Sequence, residues 1–201
     1  MTQPTHTAIT LGPLVTTIMK ARSTKAVWAA SYLFSRIMKE LLDAAPAHCE
    51  ILLPYHSDAK HDDLRAGLYP DQSVIKGDCL ADLQTAKANI LNRLTDQIHA
   101  DLSNRRKTQN RFPELYRDQQ LKTKIGRFLK EYLQINLLSA AVSHYDKAVG
   151  EMTDLLNTTE LRQMPLLHAE PDYLLMVFEE VFYNFLVKEK YFDARHDYFP
   201  S

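Results

Sequence analysis

Glycine is scarce in this sequence: the 201 residues include only five. Loops that cradle phosphates are built on clustered glycines, so a fold organised around such a loop is not expected. Cysteine is scarcer still, with Cys49 and Cys79 alone. Two cysteines do not make a disulfide framework, and two free thiols in a reducing cytoplasm are the simple reading. Met1 to Thr10 is polar and lacks the charged-then-apolar pattern of a secretory leader. No apolar run approaches the ~20 residues that a membrane span needs. The most apolar window, Tyr173 to Val187, is interrupted by Glu179, Glu180 and Asn184. An excess of charge is missing too. The formal net charge is -1, so any contact with nucleic acid must come from a local patch rather than a global field.

Hydrophobic residues make up 45% of the chain and charged residues 24%, so a sizeable core can be buried. Thr7 to Leu11 is short, β-prone and closed by Gly12-Pro13, which predicts a strand and a turn. From Leu14 to Leu42 the apolar residues change to a helical period, through Ile18, Trp28, Leu33, Ile37 and Leu41. That length suggests a break between Ala21 and Lys25. Pro46 ends the helix. Glu50 to Leu53 and Gln72 to Lys76 read as short strands around a polar loop, Ser57 to Pro70. Asp78 is a suitable N-cap for a helix starting near Leu80, whose apolar face runs from Leu83 to Leu102. Tyr132 to Leu138 alternates as a strand does. His144 to Leu156 and Glu170 to Lys190 read as helices.

The order is βαββαβ, a ferredoxin-like α+β arrangement. It predicts a palm-like domain over residues 1–160, a basic and partly helical insertion over about 104–128, and a C-terminal helical extension over 161–201. This fold serves many functions and identifies none.

A more specific signal lies in Ile9 to Ser35. Gly12-Pro13 is followed by a helix that carries Arg22 and Lys25, then by Trp28-Ala29-Ala30-Ser31-Tyr32-Leu33. This stretch resembles the opening of the large subunit of type III CRISPR effector complexes, in the Cmr branch. The strand Glu50 to Leu53 with Pro54, the segment Gly67 to Gly77 and the ending Tyr198-Phe199-Pro200-Ser201 are similar to that family as well. The resemblance is strong over about 30 residues and loose elsewhere.

The resemblance implies a cyclase-like first palm. In complete family members a second palm carries a Gly-Gly-Asp-Asp motif that holds two divalent metals, and ATP lies between the palms for conversion to cyclic oligoadenylates. The first palm supplies one wall of the nucleotide site and packs against other effector subunits. ATP is then expected as a substrate, and Mg2+ or Mn2+ only on the second palm. Two-metal phosphoryl transfer needs clustered carboxylates. This chain has no Gly-Gly-Asp-Asp, and Thr7 to Leu11 has no Asp. A nucleotidyltransferase fragment inactive by itself is expected, in the cytoplasm. The resemblance starts at the palm, so neither the His-Asp nuclease domain of some members nor a cysteine-based zinc cluster is expected here.

The nucleotide-facing residues implied by the resemblance are Gly12, Pro13, Arg22, Lys25, Ser31 and Tyr32. The Ser31 hydroxyl could read an adenine edge, or serve as a small residue for close helix packing. Gly12 could admit a phosphate or base, or simply turn the chain. Arg22 and Lys25 suit ATP phosphates or the guide RNA backbone, and equally a solvated face. Trp28, the single Trp, reads as core or interface packing. The basic segment with Arg105, Arg106, Lys107 and Arg111 interleaves Phe112 and Tyr116 and suits RNA through phosphate contact and stacking, or solvent exposure. Expected partners are therefore other type III subunits, with guide and target RNA. A docking module for subunits and guide RNA, with no nucleotide role, is the alternative. Asp62-Asp63 reads as a surface loop without the glycines of the catalytic turn. His48, Cys49, His56 and His61 fit no standard zinc spacing, and His196-Asp197 lacks the companion histidines of a metal-dependent phosphohydrolase.

Overall fold

The computed structural model describes residues 4–20, 24–54, 69–105, 120–142 and 147–161. Strand β1 (Thr5–Gly12) leads into two helices, α1 (Leu14–Lys20) and α2 (Thr24–Asp43). Strands β2 (Glu50–Leu53) and β3 (Gln72–Lys76) follow, then helices α3 (Leu80–Arg105) and α4 (Leu121–Tyr132). Strand β4 (Gln134–Ala141) and helix α5 (Ala148–Leu161) complete the described elements. The four strands form one antiparallel sheet in the order β2-β3-β1-β4. This is the ferredoxin-like, palm-type α+β fold that the element order predicts. The long first helix is divided as expected, into α1 and α2. The Gly12–Pro13 and Leu53–Pro54 peptide bonds are cis.

β1 is central, pairs with both β3 and β4, and is buried on both faces. Its odd positions turn Ile9 and Leu11 toward one helical layer, where Ile75 and Ile135 join them from the neighbouring strands. Leu33, Ile37, Met38 and Leu41 of α2 and Leu83, Ile90 and Leu94 of α3 fill that core. Burying each such side chain fully contributes about 1.5–3 kcal/mol. Even positions face the other way. There Ala8 and Val74 pack under Met152 and Leu156 of α5, with Val142 and Ala148 alongside. A helix after β4 thus covers part of the second sheet face.

The stretch read as an insertion includes the first turns of α4, and these are not solvated throughout. Leu121, Ile125, Leu129 and Tyr132 recur at helical spacing and are buried in the main core. Polar joints tie the helices together. Glu40 of α2 receives Arg36 from its own helix at 2.7 Å and Arg93 of α3 at 2.5 Å. Residues 162–201, which include the expected C-terminal extension, lie outside the described residues. Trp28 is 42% exposed and so is not a core residue. Its large indole stands on α2 with Val15 and Met19 of α1 also exposed.

At the end of the sheet remote from Gly12, the chain passes from β3 to α3 through Gly77. Its φ of 128° is one that residues with a side chain rarely adopt. A Cβ there would stand 2.5 Å from the Cys49 Sγ. The Gly77 N–H donates to the Thr5 carbonyl at 2.9 Å, and the Thr7 hydroxyl donates to the Gly77 carbonyl at 2.8 Å. The Cys79 N–H donates to Thr7 Oγ1 at 3.4 Å, and the Cys79 carbonyl receives the Leu83 N–H at 3.0 Å. Cys79, rather than Asp78, therefore immediately precedes α3. Burial, partly offset by the Thr7 hydrogen bond and reinforced by Cys49 and Asp82, pushes the Cys79 thiol up to about 11.

Two outcomes follow from this corner. Gly77→Ala should lower the unfolding free energy by roughly 1–3 kcal/mol from backbone strain, more with the clash against Cys49. Gly150→Ala, in α5 with nothing within 4 Å, should instead raise it by roughly 0.5–1 kcal/mol. Urea titrations of both variants check the pair; equal effects would contradict the account of Gly77. The second outcome concerns pH. An unfolded thiol ionises near 9.0 and the folded Cys79 near about 11, so in that window the folded state holds the extra proton. The Cys79 contribution is complete below 9.0 and is lost as pH rises through about 11. Wild type should lose more stability across that window than Cys79→Ala does in the same titration.

Candidate functional site

The Gly12 end of the sheet gathers polar side chains on the face that carries α5. Register sets Thr10 opposite Gln72 on β3 and opposite Asn136 on β4, and Gly12 opposite Gln134. All share the even, second-face alternation of Ala8. Further along that face α5 rests on alanine, valine and leucine side chains, but here the strands offer a hydroxyl and three amides. Gln72 Nε2 donates to Asn157 Oδ1 of α5 at 3.1 Å. Gln134 Oε1 and Asn136 Nδ2 are buried and have no hydrogen-bond partner among the described residues. An unsatisfied buried group costs about 1–3 kcal/mol, so such groups call for a reason beyond folding.

The turn beside this row is braced. The Thr17 hydroxyl donates to the Pro13 carbonyl at 2.6 Å, which uses its one proton. The Tyr132 hydroxyl, 2.6 Å from the same oxygen, must then donate to Thr17. The Tyr132 ring also stacks on Phe128, with centroids 5.2 Å apart. The end of α4 thereby holds the beginning of α1 and the Pro13 carbonyl. Lys87 of α3 donates from Nζ to the Ile135 carbonyl at 2.6 Å. Burial first, and then the Lys130 charge, lower its pKa. A half-buried cation therefore stands at the start of β4.

The residues named from the sequence divide between two sides of this end. Gly12 is buried and Pro13 half-buried at the end of β1. Ser31 is half-buried and Tyr32 is buried on α2, in the opposite helical layer. Ser35, one turn further on, donates to the Tyr69 carbonyl at 3.4 Å, and the Leu11 N–H donates to the Asp71 carbonyl at 2.8 Å. Those two bonds bring this part of α2 to the Gly12 end. Lys25 belongs to the first turn of α2 and Arg105 closes α3, with their side chains outside the described residues. Arg22, Arg106, Lys107 and Arg111 lie wholly outside them, as do His56, His61, Asp62, Asp63, His196 and Asp197.

Sequence reasoning missed Thr10, Gln72, Gln134 and Asn136. The available signal was the polar half of the alternation in β4, where Gln134 and Asn136 flank the core residue Ile135.

A divalent-metal pair does not fit the described residues. The strands carry a single carboxylate, Glu50, which lies at the far end of the sheet and is paired with Lys76 at 3.2 Å. Among the described residues no group of three or more His, Cys, Asp or Glu side chains could hold a metal ion. Nor is any described helix long and apolar enough to cross a membrane.

The sheet order and its flanking helices define a palm-type domain. The family described as CRISPR-associated protein Cmr2, N-terminal, matches residues 6–109, just over half of the chain, and the chain belongs to that family. It is accordingly part of a type III CRISPR large subunit, with other type III subunits as its partners. No match is found among curated proteins.

If the polar row is kept for a ligand rather than for folding, stability and burial should disagree there. Asn136→Leu is expected to stabilise the isolated chain by about 1 kcal/mol, because it removes an unsatisfied donor. Thr17→Val should cost about 1–3 kcal/mol, because it removes the hydroxyl that bonds both the Pro13 carbonyl and Tyr132. Thermal or urea unfolding of the two variants decides, and a destabilised Asn136→Leu chain would make that amide a structural element.

Proposed function

We propose that this chain is the first palm of the effector large subunit and forms one wall of the ATP site for cyclic oligoadenylate synthesis. The observation that carries the reading is the row Thr10, Gln72, Gln134 and Asn136 beside Gly12, with Gln134 Oε1 and Asn136 Nδ2 unpaired among the described residues. Amide groups both donate and accept, which suits the edge of a purine base or a ribose hydroxyl. Pro13, held by Thr17 and Tyr132, fixes the turn against which a nucleotide would rest. Lys87 adds positive charge at the same end of the sheet, where ATP phosphates would gain from it. Ser31 and Tyr32 contribute from the helical side, and Arg22 and Lys25 supply further positive charge toward phosphates. The metal-binding carboxylates belong to the second palm, so this chain contributes binding, orientation and exclusion of water. Arg105, Arg106, Lys107 and Arg111 offer a local basic patch for guide or target RNA.

A second reading, a docking module without a nucleotide role, is favoured by one observation. Val15, Met19 and Trp28 are exposed apolar side chains, at 68%, 81% and 42%. Partner subunits would cover them.

The test mixes this chain with the remainder of the subunit, the target-bound guide complex, ATP and Mg2+, and measures oligoadenylates. The chain alone should make none. Asn136→Leu, Ser31→Ala and Gly12→Val should each lower the yield of the mixture about tenfold, equivalent to about 1.4 kcal/mol. Yields equal to wild type, combined with loss of subunit co-purification on Trp28→Ser or Met19→Ser, would establish the docking reading instead.

A further inference from the structure

The two cysteines, thirty positions apart in the chain, meet at the corner where β3 gives way to α3. Register pairs Glu50 with Lys76, so Cys49 lies beside Gly77 at the mouth of the β2–β3 pair. The Cys49 Sγ occupies the space where a Gly77 side chain would start. Cys49 packs against the core cluster that contains Cys79, near enough for the Cys49 thiol to raise the Cys79 pKa. Both are free thiols, Cys79 being buried and Cys49 half-buried. Backbone bonds hold both halves of the corner: the Cys49 N–H donates to the Pro46 carbonyl at 2.9 Å, and the Cys79 N–H is held by Thr7.

We propose that Cys49 and Cys79 are a site of reversible oxidation, closing as an intramolecular disulfide when the chain meets a peroxide. Cys49 is the sulfur that solvent can reach, and its thiolate attacks one peroxide oxygen. The O–O bond breaks, leaving a Cys49 sulfenic acid, and hydroxide departs to be protonated to water. The Cys79 sulfur then attacks the Cys49 sulfur. The S–O bond breaks, Cys79 gives up its proton, and a second water leaves. Two thiols and one hydrogen peroxide thus become one disulfide and two waters, the peroxide being the two-electron oxidant. Burial holds Cys79 as a thiol, which makes it the resolving partner rather than the first to react. The absence of a side chain at Gly77 is what leaves room for the Cys49 sulfur at this corner. The bond would tie the start of β2 to the residue that precedes α3, enclosing β2 and β3 in one covalent loop.

The test exposes the 201-residue chain to hydrogen peroxide, quenches it with an alkylating reagent under denaturing conditions, and reads intact mass and free thiols. The expected result is a monomer that has lost two hydrogens and both free thiols, restored by a dithiol reductant. Cys79→Ser should stop at the sulfenic acid, trapped by dimedone, and Cys49→Ser should retain its Cys79 thiol through the same exposure. Gly77→Ala, which crowds the Cys49 sulfur, should slow crosslinking severalfold; Gly150→Ala should not. Two alkylatable thiols remaining in wild type after an exposure that fully converts Cys79→Ser would overturn the proposal. So would disulfide-linked dimers in place of the internal bond.

Discussion

The structure depends on β1 being buried from both sides. A strand paired at each edge and covered on each face can offer water nothing, and His6 to Leu11 are buried throughout. The sequence answers with Ala8, Ile9 and Leu11 for packing, and with threonines whose hydroxyls can be used locally. Thr7 shows how: it donates to the Gly77 carbonyl and accepts from the Cys79 N–H, so one buried hydroxyl organises the passage from β3 to α3. The two layers follow from the same constraint. α2, α3 and α4 satisfy the odd positions of the strand and α5 the even ones.

The polar row at the Gly12 end contrasts with the well-bonded Thr7. A hydroxyl and three amides sit where an apolar surface would pack better, and two of their atoms find no partner among the described residues. Local inconsistency of this kind is what a fold shaped only for stability would remove. The bracing by Tyr132, Thr17 and Pro13 just beside it is fully satisfied. The contrast separates the bonded turn from Gln134 Oε1 and Asn136 Nδ2, which have no partner among the described residues.

Much of the arrangement was legible in the sequence because the signals were local. Thr7 to Leu11 followed by Gly12-Pro13 announces a strand and its end, and the long helical period between Leu14 and Leu42 announces both helices. The family resemblance rested on the same stretch and holds. Other features were hidden by competing signals. The basic residues of 103–127 obscured the Leu121, Ile125 and Leu129 stripe, because charge on the outer face of a helix looks like an insertion when the period is short. Trp28 read as core or interface packing, and residue type alone cannot say which of the two a helix position serves. The polar row was the hardest to read. In an alternating strand such as β4 the polar half is taken for the solvent side, and only the register with β1 and β3 reveals that Thr10, Gln72, Gln134 and Asn136 converge.

The pairing of β1 with β4 carries a consequence for how the chain comes to be. β4 supplies one whole edge of β1, from Thr5 against Ala141 to Gly12 against Gln134. The family-matched region ends at residue 109, ahead of β4. While a ribosome is still translating the stretch between them, β1 can already lie beside β3 with its other edge unpaired, a long row of amides and carbonyls on an apolar strand. Such an edge is a template for a neighbouring chain. The interval before β4 emerges is therefore the time when this polypeptide is most exposed to aggregation, and a piece cut at the family boundary would remain in that condition permanently.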